Sequence, residues 1–217
     1  MTLEIGQGKR SILVDMKTAP GRDIFQRLVS WADVILHNFL DDVAERLGVT
    51  QQQLQTINPN VVCCQISCFG GTHRGGWERH PGLDPIPQAA TGLMAHFGSL
   101  EEPQMHGRTA CGDNMGAIGL ALTALLTSWQ QRKTGYAGEG RTSMAQSNNF
   151  VQLPYMIAEN GSSDWGEAHG QLALGDHWYQ RLYQCQDGWL FVAATKERAS
   201  ILSETVVGKV TADESVL

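Results

Sequence analysis

The sequence predicts an α/β fold, a parallel sheet covered by helices, followed by the start of a small antiparallel second domain. Three features carry that expectation. Apolar strand-like runs alternate with helical runs over residues 11–67, the order expected of βαβ units. The joins between them are short, as βα and αβ loops are. Near the end, "RLYQCQDGWLFVAA" at 181–194 sets Asp-Gly between alternating apolar runs, a hairpin signal for a type I′ turn.

Each element has its own local cause. "SILVD" at 11–15 reads as a first strand, and Pro20 starts a helix on which Ile24, Leu28 and Trp31 repeat at helical spacing. "DVILHN" at 33–38 is the second strand. "DDVAERLGV" is a short helix stopped near Gly48, and Thr50 and Gln53 are spaced as a capping box opening another over "TQQQLQTIN". "NVVCCQIS" at 60–67 is the third strand, apolar along most of its length as a strand covered on both faces should be.

Ligands of such sheets bind at the carboxyl ends of the strands, here "VDMK", "LHNF" and "ISCFGG". Residues 69–84 are Gly-rich and irregular, too long for a simple connection. A helix is expected from Pro85 to about Phe97, and a long one from Asp113 to about Lys133, ended by Gly135, Gly138 and Gly140. A mixed helix then runs from Met144 to Glu159, and residues 160–170 form a loop. The domain boundary falls at residue 170, dividing 1–170 from 171–217.

Composition narrows the function. A chain of 217 residues can bury one substantial core and is short for two full domains. Acidic residues outnumber basic ones by 22 to 16 and no Lys/Arg block occurs, which argues against nucleic acid or an anionic membrane as partner. No apolar run of transmembrane length exists, and "TLEIGQGKR" after Met1 is not a secretory signal. The five cysteines, an odd number, fit reduced thiols in a cytoplasmic protein. Their spacing matches no zinc pattern, and neither does the set His169, Asp176, His177 and Cys185, so no metal is expected.

"GRTACGDNMGAIGLALTALL" at 107–126 puts a single acidic side chain, Asp113, on the first turn of an apolar run that reads as a buried helix. One reading is an N-cap. The other is a functional carboxylate, and the surrounding motifs bear on the choice.

"GKRSILVDMKTAPGRDIFQRLVSWADVILHNF", "ERLGV", "INPNVVCCQISCFG", "HPGLDPIPQAATGLM" and "GDNMGAIGLALTALLTSWQQRKTG" follow one another in a characteristic order and spacing. In these five motifs the chain resembles the family III CoA-transferases, which include formyl-CoA transferase and whose superfamily includes carnitine CoA-transferases and α-methylacyl-CoA racemases. The resemblance implies a Rossmann-like sheet and makes Asp113 the catalytic aspartate. It places Val14, Asn38, Phe39, Arg46 and Met144 where the family contacts CoA. Lys17 and Arg46 have two readings each, a partner for a CoA phosphate or a stem lying along the fold. Val14, Phe39 and Met144 are equally explained by packing, and Asn38 by turn formation.

The implied reaction runs through an acyl-aspartyl anhydride and an aspartyl-CoA thioester, and ends with CoA on an acceptor carboxylate. The chemistry of Asp113 agrees, since a carboxylate at a helix N-terminus is favoured in its ionised, nucleophilic form. Gly70, Gly71, Gly75 and Gly76 are candidates for oxyanion donors, or are simply a surface loop. The racemases carry His directly before the aspartate of the "PGxD" motif; here that position is Leu83, which cannot move a proton, so transfer is favoured over racemisation.

The expected ligands are therefore coenzyme A or an acyl-CoA as substrate and a carboxylic acid, with no permanently bound cofactor. Relatives begin with a further strand and helix and continue through a complete small domain. The resemblance thus implies a chain truncated at both ends, completed as a homodimer or by a complementing subunit. The competing readings are a non-catalytic CoA-binding or assembly subunit and an acyl-CoA racemase.

Overall fold

The computed structural model of the protein describes residues 6–70, 75–99, 101–107, 111–153, 174–175 and 177–203. In chain order the elements are α1 (Ala19–Trp31), β1 (Val34–His37), α2 (Asp41–Leu47), α3 (Gln51–Gln55), β2 (Val62–Ser67), α4 (Pro85–Ala90), α5 (Leu93–Phe97), α6 (Cys111–Thr134), β3 (Glu139–Ser143), α7 (Met144–Val151), β4 (Gln180–Cys185), β5 (Gly188–Ala193) and α8 (Lys196–Ser203). They divide into two compact units, Met1–Leu83 with Gly112–Ser147, and Asp84–Cys111 with Asn148–Leu217. The boundary expected at residue 170 lies outside the described residues.

Local chemistry sets the ends of the first unit's helices. Thr18 caps α1 by accepting from the Gly21 N–H at 3.2 Å, with Pro20 in the first turn. At the other end of α1 the Asn58 amide donates to the Val29 and Ala32 carbonyls at 3.1 and 2.9 Å, closing orphan acceptors. The capping box of α3 forms as its spacing predicts, with Thr50 Oγ1 and Gln53 Oε1 each accepting a backbone N–H at 3.3 Å.

The sheet of this unit is parallel in the order β1-β2-β3. Central β2 is covered on both faces: Val61, Val62, Cys63 and Cys64 are each 1% exposed or less. Alternation sends Cys63 to one face, beside Val29, Val61 and Leu54, and Val62 and Cys64 to the other, beside Ala137 and the half-buried Leu120 and Ala124 of α6. Each fully buried aliphatic side chain contributes about 1.5–3 kcal/mol by leaving water. The buried Gln51 fastens α3 to the sheet, accepting from the Cys63 N–H at 2.7 Å and donating to the Val61 carbonyl at 2.9 Å.

Helix α6 lies very close to the sheet. A Cβ on Gly140 would stand 2.6 Å from Thr123 Cγ2, so that position needs glycine for space, and one on Gly116 would stand 2.8 Å from Ile66 Cδ1 and would displace that side chain's end. The opposite side of α6 is not the buried surface its apolar sequence suggests. Ile118, Leu122, Leu125, Leu126 and Trp129 are all 56–69% exposed.

In the second unit, the wholly buried Gln88 donates to Asp84 Oδ2 at 2.7 Å and accepts from the His106 N–H at 2.9 Å, holding α4 to the loop after α5. Strands β4 and β5 pair antiparallel from Gln180↔Ala193 to Cys185↔Gly188.

Five expectations are corrected. Residues 11–15 form no strand, because none of the described residues pairs with them in a ladder, and Leu13 is fully exposed. The helix expected over 85–97 is two, broken where Gly92 adopts φ 78°. "EGRTS", which includes one of the glycines expected only to end the long helix, is the edge strand β3. The hairpin turn sits on Gln186 and Asp187, one residue earlier than expected, with Gly188 already paired in β5. Asp113 is not an N-cap, because α6 starts at Cys111 and Asp113 is its third residue.

The helix expected to continue to Glu159 is described only to Val151. Residues 160–170, where the sequence predicts a loop, lie outside the described residues, as do His169, Asp176 and Gly71. Among the described residues no helix is long and apolar enough to cross a membrane, and no group of three His, Cys, Asp or Glu is placed to hold a metal ion.

Candidate active site

The first unit contains a cleft of about 480 Å³ at the carboxyl ends of its strands, where α/β sheets bind their ligands. Strand β1 runs out into Asn38 and Leu40, which form one wall. Ile66, Ser67 and Cys68, at the end of β2, form the floor. Asp113, Ala117 and Leu120 come from one face of α6, spaced four and three residues apart as successive turns require. Met144, the first residue of α7, and the run Pro81, Gly82 and Leu83 complete the lining.

Asp113 occupies the first turn of a 24-residue helix. Its carboxylate is exposed and stands at the positive end of the helix dipole, where backbone N–H groups lack intrahelical acceptors. Burial, together with the charge of Asp113, pushes the Cys68 thiol up to about 11. The cleft beside Asp113 therefore holds a neutral thiol at physiological pH, and Asp113 is the acidic residue among those that line it.

Of the residues singled out from sequence, the cleft gathers Asp113, Asn38 and Met144. Phe39 sits between two cleft residues, but its half-buried ring stacks on His37 at 5.6 Å. Arg46 is exposed in the last turn of α2. Val14 and Lys17 lie in the segment before α1, where the Lys17 carbonyl accepts from Arg22 at 2.9 Å. None of these four lines the cleft. The Gly70 N–H is already bonded to Ser67 Oγ at 2.8 Å, while Gly75 and Gly76 face open space.

The sequence reading missed a second polar cluster on the other face of the sheet. A cavity of about 550 Å³ there is lined by His37, Asp41, Gln51, Gln65, Glu139 and Arg141, among others. The Arg141 guanidinium donates to Asp41 at 2.9 Å and to Glu139 at 2.8 Å. Burial opposes its charge, but these hydrogen bonds outweigh burial and raise its pKa above the ordinary value. Burial first, and then the nearby Arg141 charge, lower the pKa of His37. The signal for this cluster was present as one polar residue, Gln65, inside an otherwise apolar run.

The family model for CoA-transferase family III matches residues 1–214, and the chain belongs to that family. It is 36% identical over 191 residues to the CoA-transferase/lyase DddD of Marinomonas sp., covering 88% of this chain and 23% of that protein. It is 30% identical over 173 residues to a succinate–glutarate CoA-transferase of Agrobacterium fabrum, covering 77% of this chain and 42% of that one. The fold is that of a CAIB/BAIF family protein from Brucella suis, at a TM-score of 0.71 and 24% identity, over 95% of this chain and 55% of that one. The chain thus spans less than half the length of these two curated relatives.

Proposed function

We propose that this chain is the nucleophile-bearing part of a CoA-transferase that moves CoA from an acyl-CoA thioester to a carboxylic acid, with Asp113 as the covalent acceptor. The observation that carries the reading is the position of Asp113: on the first turn of α6, in a cleft at the strand ends, in a chain of CoA-transferase family III.

In the first step a carboxylate oxygen of Asp113 attacks the thioester carbonyl. The C–S bond breaks, CoA leaves as thiolate, and the acyl group stays on Asp113 as an anhydride. The thiolate then attacks the Asp113 carbonyl carbon, releasing the donor acid and leaving an aspartyl-CoA thioester. An acceptor carboxylate repeats the sequence in reverse and departs as the new thioester, with Asp113 regenerated. Asn38 offers its amide to the CoA chain from the β1 side, and Met144 supplies an apolar wall. Leu83 lines the same cleft and carries no proton to move, which favours transfer over racemisation.

Arg46, Lys17, Val14 and Phe39 belong to this reading as residues that meet the remainder of CoA. Assembly as a homodimer or with a second subunit is part of it as well, and the exposed apolar side of α6 supports that part. All five cysteines are free thiols, which supports a reducing, cytoplasmic location.

The test is intact mass spectrometry after incubation with a panel of acyl-CoA thioesters, with hydroxylamine trapping and peptide mapping. The expected result is an adduct on Asp113 that is absent in Asp113→Asn. CoA binding without any adduct, unchanged in Asp113→Asn, would identify a non-catalytic CoA-binding subunit instead. Exchange of the substrate α-proton with solvent would identify a racemase.

A further inference from the structure

Asn38 and Leu40 reach the cleft from a loop that has no ladder partner of its own, between the end of β1 and the start of α2. The side-chain hydrogen bonds that hold this loop come from the far side of the sheet, in addition to the backbone bond from the Ala44 N–H to the Leu40 carbonyl at 2.8 Å. Gln65 is adjacent to Ile66 in β2, so their side chains point to opposite faces. Ile66 lines the Asp113 cleft, and Gln65 lines the polar cavity behind it.

From there the Gln65 amide nitrogen donates to the Phe39 carbonyl at 2.6 Å and to Asp41 Oδ1 at 3.0 Å. His37, level with Gln65 in the sheet register, accepts the Phe39 N–H on Nδ1 at 3.3 Å. Both backbone polar groups of Phe39 are therefore satisfied by side chains of one sheet row. Arg141, next in that row, donates to the same Asp41 oxygen at 2.9 Å and is itself braced by Glu139. Gln65 is only 5% exposed, so its amide has little water to turn to if the loop moves away.

We propose that Gln65, backed by Arg141 through Asp41, is a positioning residue that acts through the Asn38–Asp41 loop: it fixes where Asn38 and Leu40 stand in the Asp113 cleft and so sets the affinity for CoA. It does not touch the cleft itself. The affinity part of the proposal rests on the CoA-transferase reading above; the ordering of the loop does not.

The experiment is a double-mutant cycle with a structural readout. Gln65→Met keeps the side-chain length and removes the donors. It is expected to weaken CoA binding, measured calorimetrically, by roughly tenfold, the loss expected for buried hydrogen bonds of this kind. In an Asn38→Ala background the same change is expected to cost distinctly less, roughly threefold, because the polar one of the two groups being positioned is gone. An equal loss in both backgrounds overturns the proposal, since Gln65 would then act as a general structural residue.

Amide hydrogen exchange on the same proteins needs no ligand. Faster exchange confined to residues 39–41, with Val62–Ser67 unchanged, is expected; unchanged exchange of the loop overturns the proposal. Should the parent chain bind no CoA, the functional reading fails while hydrogen exchange still decides the positioning. Asp41→Ala, at a half-exposed position, gives the same readouts if Gln65→Met fails to fold.

Discussion

Alanine at position 140 would place a methyl group between β3 and α6, where there is no room for one. The new Cβ would stand 2.6 Å from Thr123 Cγ2, 2.7 Å from Cys64 Sγ and 2.8 Å from Thr127 Oγ1. Comfortable carbon contacts lie at about 3.5–4.0 Å, so each neighbour must retreat by roughly 1 Å. Two of the three are on α6 and the third is on β2, so no single rotamer change relieves them, and the helix has to lift from the sheet. Overpacking of this kind costs about 1–3 kcal/mol, offset by the roughly 0.5–1 kcal/mol that alanine gains over glycine in a strand.

The expected net loss is about 1–2 kcal/mol, which for a chain of this size lowers Tm by roughly 2–8 °C. Differential scanning calorimetry of Gly140→Ala measures it. Gly75→Ala is the control, because a Cβ there meets nothing within 4 Å. A Gly140→Ala protein as stable as the parent, beside an unchanged control, would refute the account of how α6 is seated.

Two further expectations concern titration. Because the folded pKa of His37 lies below its ordinary value of 6.5, the unfolded chain takes up the proton first. The stabilisation from neutral His37 is thus complete above pH 6.5, falls as pH drops from there toward the folded pKa, and is level below it. Urea midpoints of the parent and His37→Gln between pH 8 and 5 should diverge below about 6.5, the parent losing more; parallel curves would contradict the idea. Burial is the main cause of the lowering and the Arg141 charge on β3 adds to it, while the charges of Glu139 on β3 and Asp41 on α2 oppose it. Among the thiols, iodoacetamide at neutral pH should label exposed Cys185 in the native protein, and should spare Cys63 and Cys68 until urea is added, since burial pushes them up to about 12 and 11. Native labelling of Cys68 as fast as Cys185 would show the cleft floor to be open.

The sequence by itself determined what depends on neighbours a few residues apart. Thr18 with Pro20, and Thr50 with Gln53, start their helices through contacts no longer than a turn, so their spacing alone reveals them. The run "VVCC" announces a strand buried on both faces, and five motifs in register place Asp113 on a helix.

Tertiary structure decided the rest. "EGRTS" has little strand character of its own and becomes β3 because β2 offers it a ladder, while "SILVD" has the character and lacks the partner. The apolar positions of α6 do not say which of them meet the sheet; the near approach of Gly116 and Gly140 chooses the face and leaves Leu125 and Trp129 in water. The network behind the cleft joins Asp41 to Arg141 across 100 residues and Phe39 to Gln65 across 26. Hydrogen bonds between groups so far apart in the chain leave no periodicity to read, because the fold alone brings them together.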